Sequence, residues 1–208
     1  MKSENNNILK NKNLNELHFS AYDVFLTKSM TKNEIIRFVQ QLKEKNVDIY
    51  DAQAFRVDSA LSEKHISSAV WHAWNGFKNN LTISGSLSIE FLLYLSGQRQ
   101  ISKALQFFGL GETVKSFSLM IFNEKIISKE NLLSMTLLKN NISMISPLNL
   151  SDSVDKRKNL AKIFDFASKE NLEVLDSHEG YIKLENYILT SISNLVFETS
   201  KLKIVENK

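Results

Sequence analysis

The stretch SLSIEFLLYLSGQRQISKALQFFG, residues 86–109, decides the fold. Its first half is apolar on nearly every face, which predicts a central, buried helix that ends at Gly97. Its second half predicts another helix, over about residues 98–108, because apolar residues recur on one face, at Ile101, Ala104, Leu105 and Phe108. The polar triplet Gln98, Arg99 and Gln100 therefore lies at the turn of a helical hairpin, with Arg99 in the first turn of the second helix.

Strands and helices alternate outward from this hairpin. Aromatic and β-branched residues predict strands in LHFSAYDVFLT, VDIYDAQAFRV, SFSLMIF and NISMIS, and GYIKL is a further possible strand. Thr31 and Glu34 form a capping box that predicts a helix to about Lys45. Other predicted helices cover about residues 63–77, 129 onward, 154–169 and 185–200.

This order predicts an α/β (α+β) fold, with a small mixed β-sheet covered by helices. No repeat or linker rich in proline and glycine divides the 208 residues, so we expect one domain over residues 16–205. Residues 1–15 are rich in asparagine and lysine with few apolar anchors, which predicts a flexible leader.

Composition narrows the classes of function. A net charge of +3 permits an anionic partner but is too small for a dedicated nucleic-acid binder, so a basic site would have to be local. The chain has no cysteine, which excludes disulfides and thiolate metal sites. We see no signal peptide or membrane-spanning segment and expect a cytoplasmic protein without a membrane partner.

No pattern of catalytic or cofactor-binding residues stands out. The glycines of GLGETVK lack the phosphate-loop and dinucleotide motifs, so we expect no cofactor. His65 and His72 are two helical turns apart, too far to chelate a metal alone, and His65 has no positioned nucleophile. We therefore predict no catalytic residue and no metal site.

Two interpretations of the triplet remain open from the residues alone. The guanidinium of Arg99 and two flanking amides are suited to a phosphate or a nucleotide edge. Alternatively, Arg99 forms an ion pair with Glu90 or Glu112, and the glutamines only cap the helix.

The hairpin SLSIEFLLYLSGQRQISKALQFFG, together with DAQAFRVDSALSEKHISSAVWHA before it, closely resembles the archaeal members of the PRPK-binding-protein family. The resemblance covers about residues 47–122 and includes a helix ending in Ser-Gly, followed by Arg-Gln-Ile. It implies the small, non-catalytic, regulatory subunit of the KEOPS complex. Such a subunit binds an atypical kinase-ATPase and the single-stranded 3′ CCA end of tRNA, and so indirectly serves the transferase that places threonylcarbamoyl on tRNA.

The resemblance gives the residues of the triplet specific expectations. Gln98, Arg99 and Gln100 would supply a guanidinium plane and amides that read base edges, while Lys103 and Lys78 would contact phosphates. The family usually has a basic residue just before the buried helix, whereas residues 81–88 contain none. Affinity for tRNA is therefore expected to be weaker.

Candidate residues for the protein partner are Trp71, Ile188 and Leu195. Trp71 either packs at the edge of its helix or is a hot spot for the kinase, and one edge of the last helix could receive the kinase through Ile188 and Leu195. Two rival functions remain. One is a kinase-binding scaffold that does not bind tRNA, and the other is a small-molecule enzyme that uses Arg99 with His65 or His72.

Overall fold

A computed structural model describes residues 17–135, 140–166 and 172–206. The predicted leader, residues 1–15, lies outside the described residues. Two compact units make up the chain. The first comprises the chain up to Val57 together with Gly109–Asn149, and the second comprises Asp58–Phe108 and the chain from Leu150 onward. One domain over residues 16–205 stays a prediction.

The first unit is built on a four-stranded sheet. The strands are β1 (His18–Thr31), β2 (Ile49–Phe55), β3 (Thr113–Asn123) and β4 (Ile142–Pro147), and their order in the sheet is β2-β3-β1-β4. The helices of this unit are α1 (Lys32–Lys45) and α5 (Lys129–Met135). These elements confirm the predicted α/β class and the four main predicted strands.

The sheet is antiparallel in all three described pairings, so the expectation of a mixed sheet was wrong in this detail. The reason lies in the unit β1-α1-β2, whose helix connects two strands that run in the same direction. Such a crossover normally places its strands side by side, but here β3 is inserted between them and runs antiparallel to both. Alternating strands and helices in a sequence do not reveal such an insertion.

Helix α1 packs its apolar face on this sheet. The predicted capping box is present, since the Glu34 N–H donates to Thr31 Oγ1 over 3.3 Å and the Thr31 N–H donates to Glu34 Oε2 over 2.7 Å. Phe38 contacts Phe117 of β3 edge to face, with ring centroids 6.2 Å apart. Both rings belong to the buried apolar core of the first unit.

The second unit consists of helices. They are α2 (Glu63–Lys78), α3 (Leu87–Ser96), α4 (Ile101–Phe108), α6 (Val154–Ile163) and α7 (His178–Glu206), with a short 3-10 helix at Leu172–Asp176. Every residue of α3 except Ile89 is buried, which confirms the predicted central helix. Ser86 caps its N-terminus and the left-handed Gly97, with φ of 63°, follows its C-terminus.

Two sequence predictions in this unit were wrong. Helix α4 begins at Ile101 and not at Gln98, so Arg99 precedes the helix instead of lying in its first turn. The segment GYIKL, predicted as a possible strand, belongs to α7. Gly180 explains the second error, because a Cβ at this position would lie 1.9 Å from the carbonyl oxygen of Val174. Glycine is thus required where α7 meets the 3-10 helix, and it does not mark a strand end.

Of the helices in residues 17–135, 140–166 and 172–206, none has the length and apolar character that crossing a bilayer requires.

Candidate nucleic-acid interface

The turn after α3 holds the polar triplet in a fixed conformation. The Gly97 N–H donates to the Tyr94 carbonyl over 3.1 Å, and the Gln98 N–H donates to the Leu93 carbonyl over 3.0 Å. These two bonds form a Schellman motif, which requires the left-handed conformation of Gly97. The Gln100 carbonyl then accepts from the Ala104 N–H over 3.0 Å and starts α4. Gln98, where the sequence predicted the start of α4, is therefore the last residue of the Schellman motif.

Phe164 supports this turn from the side of α6. A Cβ at position 97 would lie 2.6 Å from Cε1 of Phe164, so the ring packs directly against the Cα of Gly97. The same ring contacts His65 edge to face at 5.7 Å and lies 6.5 Å from the ring of Phe108. The turn is therefore positioned by packing as well as by its own hydrogen bonds.

A pocket of about 380 Å³ opens beside the turn. Its lining combines the turn and the start of α4 with one face of α7 and consists of Gly97, Gln98, Arg99, Gln100, Lys103, Ser191, Asn194 and Leu195. Gln98 and Arg99 are half-buried, whereas Gln100 and Lys103 are exposed. Four of the five residues predicted to bind nucleic acid thus come together in one pocket.

Helix α7 supplies a second wall that sequence reasoning missed. Ser191 belongs to the apolar stripe of this helix, and Asn194 lies at the edge of that stripe, exposed to solvent. The Ser191 hydroxyl donates to the carbonyl of Tyr187 over 2.9 Å, so its oxygen keeps only acceptor capacity for a ligand. No local pattern connects residue 194 with residue 98, because only tertiary packing brings the two segments together.

Lys78 lies apart from the residues that line this pocket. It is the last residue of α2, where a cation also interacts favourably with the helix dipole, and its side chain is exposed.

The loop just before α3 is where the resemblance leads us to expect a basic residue. Serines occupy this loop instead. The Ser84 hydroxyl donates to the Ser86 carbonyl over 2.9 Å, and the hydroxyls of Ser86 and Ser88 are 2.8 Å apart. This loop offers hydroxyl groups but no cation.

Trp71 is exposed over 61% of its surface on α2. Its ring meets the edge of His72, with centroids 4.7 Å apart, and His72 stacks on Tyr94 at 5.5 Å. Burial lowers the pKa of His72, which favours the neutral form of the ring. Core packing, the alternative interpretation of Trp71, does not account for so much exposed aromatic surface.

The histidines do not join Arg99 in its pocket. His65 lies on α2 and is fully buried. Its Nδ1 accepts from the Leu61 N–H over 3.1 Å, and its Nε2 donates to the carbonyl of Leu95 on α3 over 2.8 Å. Both bonds require the same neutral tautomer, and burial lowers the pKa of His65 to about 4. This geometry gives His65 a structural role and gives the enzyme alternative no support.

Ile188 and Leu195 lie on the packed side of α7. Ile188 has no exposed surface, and Leu195 is 6% exposed at the floor of the pocket. A side chain without exposed surface cannot contact a partner while its helix stays packed. We therefore assign Ile188 to the core of the second unit instead of to a partner surface.

Comparisons with known proteins agree with the resemblance seen in the hairpin. A search of curated protein sequences returns no match. The family model described as kinase binding protein CGI-121 matches residues 31–194, which includes the hairpin, the whole of α2 and both walls of the pocket as far as Asn194. The match extends over most of the 208 residues. The chain therefore belongs to the CGI-121 family of kinase binding proteins.

Proposed function

We propose that this chain is the non-catalytic, kinase-binding subunit of a KEOPS complex and that it binds the 3′ CCA end of tRNA. Its partners are then a PRPK-like kinase-ATPase and tRNA, and through the complex the threonylcarbamoyl transferase subunit. The protein recruits tRNA and acts in the cytoplasm. Membership of a kinase-binding family supports the first partner.

The pocket beside the α3–α4 turn is the observation that carries the tRNA part of the proposal. It places two cations, Arg99 and Lys103, beside the amides of Gln98 and Gln100. Single-stranded RNA ends are bound by this combination, in which cations contact phosphates, planar groups stack on bases and amides read exposed base edges.

The size of the pocket limits what it can hold. At about 380 Å³ it lies near the lower end of the range for small-molecule sites, roughly 300 to 1,000 Å³. That volume is large enough for one nucleotide. The pocket is therefore suited to a free terminal nucleotide, as found at the 3′ end of tRNA.

Binding of tRNA to the purified protein tests this proposal. The tRNA is used with an intact CCA end and with that end removed, at salt concentrations that differ fourfold. If Arg99 and Lys103 each neutralise one phosphate of a single strand, the slope of log K against log salt is about −1.4, which corresponds to a loss of about 7-fold. Arg99→Ala should reduce this loss to about 3-fold and weaken binding itself by roughly 10- to 100-fold.

Arg37→Ala is the matched control, because Arg37 is an exposed arginine on α1 that does not line the pocket. It should leave the preference for CCA unchanged. Equal binding of intact and trimmed tRNA by the native protein would refute recognition of the CCA end. If neither tRNA binds, a kinase-binding scaffold that does not bind tRNA would remain.

A further inference from the structure

Trp71 and Lys78 lie on the same exposed face of α2. Lys78 follows Trp71 by seven positions, which is almost two helical turns and about 10 Å along the helix axis. Trp71 is 61% exposed, and Lys78 is also exposed. In the part of the chain that the structure describes, no carboxylate forms an ion pair with Lys78. The face therefore presents an indole ring and an unpaired cation to a partner.

This face is poorly suited to the phosphates of a nucleic acid. Lys64 is the other lysine of α2, and its Nζ lies 3.1 Å from Oε2 of the buried Glu185. Affinity for a nucleic-acid backbone increases with the number of phosphates that unpaired cations neutralise. Of the two lysines on this helix only Lys78 is unpaired, so the face is better suited to a protein.

Aromatic packing holds the side chain of Trp71 in place. Its ring meets the edge of His72 at 4.7 Å, and His72 stacks at 5.5 Å on Tyr94, which is buried. A side chain that is already held loses less conformational entropy when a partner covers it. Tryptophans of this kind anchor protein interfaces by filling an apolar pocket of the partner.

We infer that the face of α2 with Trp71 and Lys78 is the docking surface for the kinase, and that the kinase presents there an apolar pocket with a carboxylate at its rim. Trp71 fills the pocket and provides most of the affinity, whereas Lys78 attracts the carboxylate and mainly speeds association. Lys78 then serves the kinase and not a tRNA phosphate, the contact that the resemblance implied. The inference rests on the kinase-binding part of the proposed function, which membership of a kinase-binding family supports.

Association and dissociation rates of the kinase test this surface. They are measured with the full chain as native protein, Lys78→Glu, Lys45→Glu and Trp71→Ala, at salt concentrations that differ about sixfold. Lys45→Glu is the matched control, because Lys45 is also an exposed lysine at the last position of its helix, α1. Both changes therefore alter the net charge equally and reverse a charge at a helix C-terminus.

The two residues should affect different rates. At low salt Lys78→Glu should slow association roughly 5- to 10-fold compared with Lys45→Glu, and this difference should shrink at high salt. Trp71→Ala should leave association nearly unchanged and should speed dissociation by about 30-fold. Equal unfolding transitions of the two lysine variants should confirm that both are folded.

The outcomes separate the docking surface from kinase binding itself. Equal association rates for Lys78→Glu and Lys45→Glu would overturn the role of Lys78, and a native dissociation rate for Trp71→Ala would overturn the role of Trp71, while kinase binding would stand in both cases. If the native protein does not bind the kinase, the inference fails together with the kinase-binding part of the proposed function.

A titration with intact tRNA decides between a protein and an RNA on this face. Lys78→Glu should bind tRNA no less tightly than Lys45→Glu, because the inferred surface does not contact RNA. A greater loss of tRNA binding in Lys78→Glu would assign this face to RNA and overturn the inference.

Discussion

Gly97→Ala adds a single methyl group to the turn that carries the polar triplet, and it should lower the free energy of unfolding strongly. Two costs add at this position. An L-residue in the left-handed conformation is destabilised by about 1–2 kcal/mol, and Gly97 has φ of 63°. The new Cβ would also lie 2.6 Å from Cε1 of Phe164, and displacing a packed ring costs about 1–3 kcal/mol. The free energy of unfolding should therefore fall by about 2–5 kcal/mol.

Urea denaturation of four proteins separates these two costs: the native protein, Gly97→Ala, Phe164→Leu and the double variant. Leucine lacks the ring atom that the new methyl group would meet, so in the Phe164→Leu background Gly97→Ala should cost only the backbone part, about 1–2 kcal/mol. The coupling energy between the two positions should then be about 1–3 kcal/mol.

Gly111→Ala provides the control for the introduction of a methyl group at a glycine. Its Cβ would have its nearest neighbour at 3.8 Å, and its φ is not positive, so the free energy of unfolding should change by no more than about 1 kcal/mol. A cost of less than about 1 kcal/mol for Gly97→Ala would contradict the strained conformation of Gly97. An equal cost in both backgrounds would show that the ring of Phe164 does not contact the turn.

Three further predictions concern other parts of the molecule. Burial lowers the pKa of His65 to about 4, whereas a histidine in the unfolded chain titrates near 6.5. The contribution of His65 to the free energy of unfolding should therefore be complete above about pH 6.5 and should fall by about 3 kcal/mol as the pH falls to about 4. Urea unfolding at several pH values should show this loss in the native protein but not in His65→Asn. Lys43→Met removes the cation that lies 2.6 Å from Oδ1 of the buried Asp51. It should lower the free energy of unfolding by about 1–3 kcal/mol, less than for a fully buried ion pair because Lys43 is one-third exposed. Adding Asp51→Asn should recover part of this loss, because the unpaired buried charge is then removed. Trp71→Ala should weaken binding of the kinase by about 30-fold or more in a titration. Val47→Ala, which changes another exposed apolar residue, is the control and should have no effect. If the native protein and Trp71→Ala bind the kinase with equal affinity, Trp71 is not part of the interface.

The parts of the fold that the sequence predicted are those set by local patterns. The capping box at Thr31, the buried helix α3 and its end at Gly97 depend on residues within a few positions of each other. The antiparallel pairing of the sheet was not predictable in this way, because it depends on β3 inserting between two strands that are distant from it in the chain. GYIKL failed for a related reason, since Gly180 is required by a contact with Val174 and not by the local backbone conformation.

The candidate site also has a part that local sequence predicts and a part that depends on tertiary packing. The triplet was visible in the sequence because one turn carries all three residues, whereas Ser191 and Asn194 are separated from them by nearly a hundred positions. Lys78 has the right charge for a phosphate, but it lies at the end of a different helix and outside the pocket. The charge of a residue therefore does not predict whether it lines the same pocket as the others.

Every candidate residue for both partners belongs to the second, helical unit, and this placement gives His65 its importance. Trp71 lies on α2, and the polar triplet follows α3. The neutral imidazole of His65 connects these helices, because it accepts from the Leu61 N–H before α2 and donates to the Leu95 carbonyl, two residues before Gly97. Protonation would turn the accepting nitrogen into a donor and break the first bond. The fixed relation between the proposed kinase surface and the proposed RNA pocket therefore depends on a histidine that contacts neither partner.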